Sequence, residues 1–251
     1  MRQHPLFSPP TPTPTPHPQF PPYQAADRAI ATGVRWSDFC ETIVDVGGGW
    51  GEMALTILEA SSAPPRSAVI FDMPHVTARA ARVWSGDVDA SEGNGGGVSV
   101  APSAAALAQR LRLAPALRER VSLVGGDMFD ASTYPGTGHA DSARKALLLR
   151  DILHDWPDED CVRILRAAAA SLKAGDSVVV VGRALDAAAA DGFVRSLGSN
   201  DADIVMLGAF GSTAGERSSE HYSRLFQQAG LRLVSVTPTR SQYAILRAVA
   251  A

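Results

Sequence analysis

The 251-residue sequence has little cysteine, few aromatic residues and no excess of either charge. Cys40 and Cys161 are its two cysteines, so a disulfide framework or a cysteine-based zinc site is not supported, and a reducing, cytoplasmic location fits best. None of the six histidines forms a pair with metal-ligand spacing. The formal net charge of −3 gives no basic footprint for nucleic acid or anionic membranes. No apolar run approaches the roughly 20 residues that span a bilayer, so we expect a soluble protein without such partners.

Proline is concentrated at the N-terminus, where residues 1–22 hold nine of the 17 prolines. Closely spaced prolines remove N–H donors and push their neighbours toward extended geometry. Residues 1–24 are therefore predicted to form a disordered tail, although a ligand for a polyproline-binding module is an alternative. Residues 25–251 are predicted to form one domain, with a glycine- and serine-rich surface insertion at about 86–103.

From Thr42 onward, short β-branched runs alternate with longer stretches rich in Ala and Leu, which is the rhythm of βαβ units. The first five strands are apolar on both faces, so we expect helices to cover both sides of the sheet. The last two strands are predicted to pair as an antiparallel hairpin. The predicted strands are Thr42–Val46, Ser67–Phe71, Val121–Val124, Ala146–Leu149, Ser177–Val181, Leu231–Val236 and Tyr243–Ala248, and the predicted helices lie near 51–60, 76–84, 104–112, 158–173 and 219–229.

A glycine cluster follows the first predicted strand, in the sequence VDVGGGWG at residues 44–51. Glycines there permit positive φ angles and close approach of the backbone to a ligand. Asp72 ends the second strand about 25 residues further on, where a carboxylate can accept both hydroxyls of a ribose. Together they predict an adenosine-type ligand, with a ligand-free glycine turn as the alternative. Glu52 stands where a dinucleotide fingerprint wants its third glycine, which disfavours a nicotinamide cofactor.

Two further segments follow predicted strands three and four. In Gly125–Phe129, Asp127 can accept an adenine amino proton and Met128 can pack on the ring, although core packing is an alternative for the methionine. His154 follows the fourth strand among carboxylates, which suits a general base because about half or more of an unperturbed imidazole is neutral at pH 7. A hydrogen-bonded structural role is the alternative for this histidine.

These segments, taken in order, resemble a known enzyme family. VDVGGGWG, VIFDMPHV, GGDMF, LHDWPDEDCVRIL, DIVML and GERSSEHY resemble the S-adenosylmethionine-dependent O-methyltransferases of the caffeate, flavonoid and acetylserotonin (hydroxyindole) type. The resemblance covers roughly residues 42–250. It implies an α/β class I methyltransferase (Rossmann-like) fold, with a seven-stranded, mostly parallel sheet, an antiparallel last strand and helices on both faces. It also implies S-adenosylmethionine as the cofactor and a small aromatic hydroxyl compound as the methyl acceptor.

The resemblance assigns roles to particular residues of this chain. His154 matches the catalytic base, Glu216 matches one of two acidic residues that orient the base, and Met206 matches a residue of the acceptor pocket. The residues that match cofactor contacts are Gly47, Gly49 and Gly51 for the methionine part, Asp72 for the ribose, Asp127 and Met128 for the adenine, and the basic residue Arg150.

The sequence departs from the family pattern in two places. Gly182 stands where family members generally carry the second acidic residue, which leaves His154 with one expected acidic support. Only 41 residues precede the first strand, so the usual N-terminal dimerisation domain is expected to be absent and the protein to be a monomer or a weak homodimer. These departures leave an alternative function open, namely a catalytically weak or inactive protein that binds S-adenosylmethionine or serves as an interaction partner.

Overall fold

The computed structural model describes residues 22–86, 102–136, 143–184 and 215–251. Met206 lies outside the described residues, as do residues 1–21 of the predicted tail and 87–101 of the predicted insertion. All seven predicted strands and all five predicted helices are present, with ends that differ by at most three residues. The strands are β1 (Thr42–Val46), β2 (Ser67–Asp72), β3 (Val121–Gly125), β4 (Lys145–Arg150), β5 (Ser177–Gly182), β6 (Leu231–Pro238) and β7 (Ala244–Ala250). The helices of the described ranges are α1 (Pro22–Gly33), α2 (Glu52–Ala60), α3 (Pro74–Ser85), α4 (Pro102–Leu113), α5 (Asp158–Ala170) and α6 (Ser219–Gln228).

The strands form one seven-stranded sheet in the order β3-β2-β1-β4-β5-β7-β6. Strands β1 to β5 pair in parallel, and β7 is antiparallel to both β5 and β6. The predicted antiparallel hairpin is confirmed, with β7 inserted beside β5. Because the five parallel strands share one direction, their carboxyl ends lie along one edge of the sheet, where ligands of open α/β sheets bind.

Apolar side chains from alternate positions of the strands build a core on each face of the sheet. Ile43 and Val44 are neighbours in β1, yet Ile43 packs with α1 to α4 and Val44 packs with α5 and α6. The expectation that helices cover both faces of the sheet is confirmed, with less cover at β3, whose Val121 and Leu123 pack against the core of one face and whose Val124 packs against the core of the other. This strand lies at the sheet edge with β2 as its single strand neighbour, and its residues are half-buried or exposed.

Helix α1 was not predicted from the sequence. It begins at Pro22, so residues 22–24, which the sequence analysis assigned to the tail, are helical. Proline suits this first turn because its missing N–H is not needed there. Ile30 and Ala31 of α1 are fully buried against the core, and the helix contacts α2. No helix in the described ranges combines the length and apolarity required to cross a membrane.

Candidate active site

The glycine turn after β1 packs tightly on one side and is open on the other. Gly47, Gly49 and Gly51 have φ angles of 69°, 55° and 86°, in the left-handed region that favours glycine. A Cβ on Gly51 would run into Ile70, whereas a Cβ on Gly49 would meet nothing within 4 Å. The turn therefore presents its backbone to open space at Gly49.

Asp72 ties this turn to the end of β2. Its Oδ2 accepts a hydrogen bond from the Gly49 N–H at 2.9 Å, and its Oδ1 accepts one from the Met73 N–H at 2.7 Å. Each carboxylate oxygen can accept a second hydrogen bond, so Asp72 keeps the capacity to bind the two hydroxyls of a ribose. Met73 is 47% exposed beside this carboxylate.

Asp127 and Met128 lie beyond the neighbouring edge strand. The last residue of β3, Gly125, pairs in register with Asp72, so the segment that follows it starts beside that carboxylate. Asp127 is exposed, and its Oδ1 accepts a hydrogen bond from the Phe129 N–H at 2.9 Å. Met128 is half-buried and packs against the core, so the packing alternative describes part of its surface.

A buried group of charges lies under the glycine turn. Arg150 Nη2, at the end of β4, is 2.7 Å from Asp27 Oδ1 of α1, although the two groups are not aligned as a hydrogen bond. Asp45 of β1 is 2% exposed, and its Oδ2 has no hydrogen-bond partner among the described residues. Burial raises the pKa of Asp45 to about 7, against the opposing charge of Arg150. Burial likewise raises the pKa of Asp27, with Arg150 again opposing the shift.

His154 lies in a short 3-10 turn, Leu153–Asp155, just after β4. Its Nδ1 is 3.2 Å from Glu216 Oε1, and its Nε2 is 3.3 Å from Asp155 Oδ1. Burial by itself lowers the pKa of His154, but the hydrogen bond to Glu216 and the charges of Asp151, Asp155 and Glu216 outweigh it and raise the pKa above its usual value. The turn also brings the carboxylate of the next residue to the second ring nitrogen, so the imidazole contacts Glu216 at Nδ1 and Asp155 at Nε2. The expectation that one acidic residue orients the base stays a prediction.

Arg217 fixes Glu216 against His154. Its side chain is 4% exposed, with Nη1 donating to the Leu153 carbonyl at 2.7 Å and Nη2 donating to the Trp156 carbonyl at 2.7 Å. Nε donates to Asp158 Oδ1 at 2.9 Å. One buried guanidinium thus cross-links the segment that carries Glu216 to the segment that carries His154.

Gly182, at the end of β5, faces the side chain of Tyr222. A Cβ at this position would lie 2.9 Å from Tyr222 Oη, which is tighter than real side chains allow. The next residue, Arg183, places Nη1 4.0 Å from Glu216 Oε1. Tyr222 therefore occupies the space into which a larger residue at position 182 would extend.

With this geometry in place, comparison with known proteins decides the family. A family model described as an O-methyltransferase domain matches residues 98–232, which is more than half of the 251 residues. The chain belongs to the O-methyltransferase domain family. The resemblance inferred from its sequence motifs is thereby confirmed.

Relatives of this O-methyltransferase-family chain occur in plants and bacteria. It is 27% identical over 202 residues to myricetin O-methyltransferase of Catharanthus roseus, an alignment that covers 79% of this chain and 44% of the relative. It is 32% identical over 195 residues to 3-amino-4-hydroxybenzoate 4-O-methyltransferase of Streptomyces cremeus, covering 78% of this chain and 41% of the relative. The chain thus spans less than half the length of these two curated relatives.

A solved structure gives the same result for the fold. An O-methyltransferase from neocarzinostatin biosynthesis, crystallised with S-adenosylmethionine and 2-hydroxy-5-methyl naphthoic acid, is 27% identical with a TM-score of 0.60. The match covers 88% of this chain and 52% of the other. The predicted class I methyltransferase fold is confirmed.

The predicted site residues within the described ranges lie at or just beyond the carboxyl ends of neighbouring parallel strands, except Glu216, which reaches His154 from the segment before α6. The structure adds Arg217 and Asp27 to the candidate site. Arg217 lies inside the GERSSEHY segment next to Glu216, so its motif could have identified it. No sequence pattern could have identified Asp27, because its helix was not predicted.

Proposed function

We propose that this chain transfers the methyl group of S-adenosylmethionine to a hydroxyl group of a small aromatic acceptor, with His154 as general base and Glu216 as its positioning residue. The observation that carries the proposal is the 3.2 Å contact between His154 Nδ1 and Glu216 Oε1. His154 follows β4, at the sheet edge that also carries the glycine turn and Asp72, and Glu216 approaches it from the segment before α6. A base and a nucleotide-type turn at one edge suit group transfer from a bound nucleoside.

The residues at this edge fit S-adenosylmethionine. The methionine part of that cofactor carries an ammonium and a carboxylate, and the buried group under the turn offers both complements. Asp45 Oδ2 lacks a hydrogen-bond partner among the described residues and suits the ammonium, whereas Arg150 Nε, also unpartnered there, suits the carboxylate. Asp72 would hold the ribose hydroxyls, and Asp127 and Met128 would hold the adenine, as the family resemblance implies.

When bound, S-adenosylmethionine supplies a sulfonium methyl group that a nucleophilic oxygen can attack in line. His154 Nε2 would take the proton from the hydroxyl of the methyl acceptor, since a phenolic hydroxyl with a pKa of about 10 is a weak nucleophile until it is deprotonated. Nδ1 would donate to Glu216, which fixes the ring and stabilises the imidazolium. Asp155 Oδ1, 3.3 Å from Nε2, would first have to give up this contact to the acceptor hydroxyl. Alignment of the reactants can supply up to about 7–11 kcal/mol.

The names of similar proteins support an aromatic acceptor. One relative is named for 3-amino-4-hydroxybenzoate, and the structural neighbour was crystallised with 2-hydroxy-5-methyl naphthoic acid. Both compounds are aromatic rings that carry a hydroxyl group. Residue Met206 is proposed to line the acceptor pocket.

Two measurements on the full chain test this function. Calorimetry with S-adenosylhomocysteine measures cofactor binding, and transfer of a labelled methyl group to a panel of phenols, hydroxybenzoates and hydroxyindoles measures catalysis. We expect binding together with turnover on at least one acceptor. Binding without turnover across the panel would favour the alternative, a cofactor-binding protein without activity. Two features support that alternative: glycine at position 182, and the 4.0 Å distance between Arg183 Nη1 and Glu216 Oε1.

We further propose that the protein is a monomer or weak homodimer in the cytoplasm, without nucleic-acid or membrane partners. Within the described ranges the exposed large apolar residues are Met73, Leu113 and Val234, which lie on different elements. Light scattering that gave a stable dimer at micromolar concentration would refute the oligomeric state.

A further inference from the structure

Helix α1 holds one acidic residue, Asp27, on its buried face. The fully buried residues Ile30 and Ala31 lie three and four positions further along, so the three side chains share one side of the helix. The Asp27 side chain is 13% exposed. A carboxylate with so little contact with water is seldom found in a protein unless a charged group accompanies it.

The charged group that accompanies Asp27 is Arg150, at the end of β4. Asp27 Oδ1 lies 2.7 Å from Arg150 Nη2, and the arginine side chain is 19% exposed. The pair joins a helix that precedes β1 to a strand end next to β1, the strand from which the glycine turn continues. Removing one member of such a pair leaves the other charge buried without compensation.

The contact with Asp27 balances the charge of Arg150 but does not use its hydrogen-bond donors. Nε and Nη2 are buried, and neither has a hydrogen-bond partner in the part of the chain that the structure describes, because Asp27 Oδ1 lies off the direction of the Nη2 N–H bonds. Nε and Nη2 form one edge of a guanidinium, and the two parallel N–H bonds of that edge match the two oxygens of a carboxylate. Two unused donors on one buried edge therefore indicate a carboxylate-bearing ligand.

A second carboxylate lies near the same guanidinium. Asp151 Oδ2 is 3.6 Å from Arg150 Nη2, and it accepts a hydrogen bond from Tyr243 Oη at 2.9 Å. The guanidinium also lies over the Tyr243 ring, 5.7 Å from its centroid. Without the charge of Asp27, the guanidinium would turn toward Asp151. Nη2 would then donate to Asp151, and the edge would lose one of its two donors for a ligand.

We propose that Asp27 is a positioning residue for Arg150 in the cofactor site: it balances the guanidinium charge from α1 and thereby keeps the Nε–Nη2 edge available to the carboxylate of the methionine part of S-adenosylmethionine. The inference rests on the proposed function for the identity of the ligand. Asp27 lies outside residues 42–250, over which the sequence motifs resemble the family. Binding of the methionine part thus depends on how α1 packs against the sheet.

The variant Asp27→Asn tests the inference with two ligands. S-adenosylhomocysteine carries the methionine-derived carboxylate, whereas 5′-methylthioadenosine has the same nucleoside and sulfur but lacks the amino-acid part. In calorimetry on the full chain, we expect the variant to bind S-adenosylhomocysteine about fivefold to 20-fold more weakly, because a charge-assisted contact is lost. The affinity for 5′-methylthioadenosine should stay within about twofold of wild type. A merely structural role would weaken both ligands alike.

A second substitution shows whether the effect passes through Arg150. In an Arg150→Gln background there is no guanidinium to position, so Asp27→Asn should change the S-adenosylhomocysteine affinity by less than about twofold. Asp38→Asn is the matched control, since it makes the same change at an exposed residue that pairs with Arg35, and it should leave both affinities unaltered. Asp27→Ala covers the case in which the asparagine variant does not fold, because alanine favours the helix. The same selective loss is expected for it.

Each other outcome also decides the question. Equal losses for the two ligands, or no loss for either, would overturn the inference. A gain in S-adenosylhomocysteine affinity would overturn it as well, because Asp27 would then compete with the ligand for Arg150. A wild-type protein that bound neither ligand would contradict the cofactor site and the role of Asp27 together. Binding of both ligands without methyl transfer would contradict the proposed catalysis alone, and the ratio of the two affinities would still decide the role of Asp27.

Discussion

Gly49 and Gly51 share a left-handed backbone but differ in what surrounds them. A Cβ on Gly51 would collide with Ile70 and lie 3.1 Å from Trp84, whereas a Cβ on Gly49 would enter open space. We expect Gly49→Ala to cost about 1 kcal/mol of unfolding free energy, from backbone strain alone. Gly51→Ala should cost about 3 kcal/mol or more, because core overpacking adds to the strain. Urea denaturation measures both, and equal losses would contradict the packing of the turn.

At the same scale, the buried carboxylate of Asp45 destabilises the fold. Its pKa is about 7 in the folded protein and near 3.8 when unfolded, so the native state binds the proton more tightly. Stability is therefore lost as pH rises from about 4 to about 7. Asp45→Asn removes this dependence.

We expect the unfolding free energy of Asp45→Asn, relative to wild type, to rise by on the order of 4 kcal/mol between pH 4 and pH 8. Urea denaturation at both pH values measures the difference. The variant should also bind S-adenosylhomocysteine more weakly at pH 8, because it lacks the charge proposed for the ammonium. A stability difference that did not change with pH would show that Asp45 is ionised in the folded state at both values.

At the scale of elements, Arg217 joins the turn after β4 to the segment before α6. Lysine keeps the charge but cannot donate in three fixed directions. We expect Arg217→Lys to lower kcat about tenfold to 100-fold while the KM for S-adenosylmethionine changes little, because Glu216 would lose its position against His154.

Arg224→Lys is the matched control for this change, since Arg224 is exposed on α6 and pairs with Glu220 at 3.1 Å. It should leave kcat unaltered. Asp158→Asn weakens the same cross-link without removing Arg217, and it covers the case in which Arg217→Lys does not fold. An unchanged kcat in a folded Arg217→Lys protein would show that Glu216 holds its position without the cross-link.

Helix α1 and strand β3 show where sequence patterns were insufficient. The buried face of α1 is short, with Ala26, Ile30 and Ala31, and the prolines before it masked its start. Strand β3 is apolar in sequence, but its place at the edge is set by the connection order, which no local pattern reveals. Because α1 was not predicted, Asp27, which lies beside Arg150, was not identified as a site residue.

At the scale of the whole molecule, periodicity predicted the strands, and motif order predicted the family and the edge where the site residues lie. Local spacing could not predict the contacts that cross the sheet. The hydrogen bond from Tyr243 to Asp151 joins residues 92 positions apart, and the Arg217 cross-link joins residues 59 or more positions apart. Such contacts depend on strand order and on side-chain packing, and they became visible only in three dimensions.

The most direct test is methyl transfer by His154→Gln compared with wild type, on an acceptor that the wild type accepts. Glutamine keeps a polar side chain but cannot take the proton, so kcat should fall about 100-fold to 10,000-fold. Calorimetry with S-adenosylhomocysteine should give an affinity within about threefold of wild type, because the imidazole is assigned to the acceptor and not to the cofactor. Transfer by His154→Gln at the wild-type rate would contradict the assignment of His154 as the base.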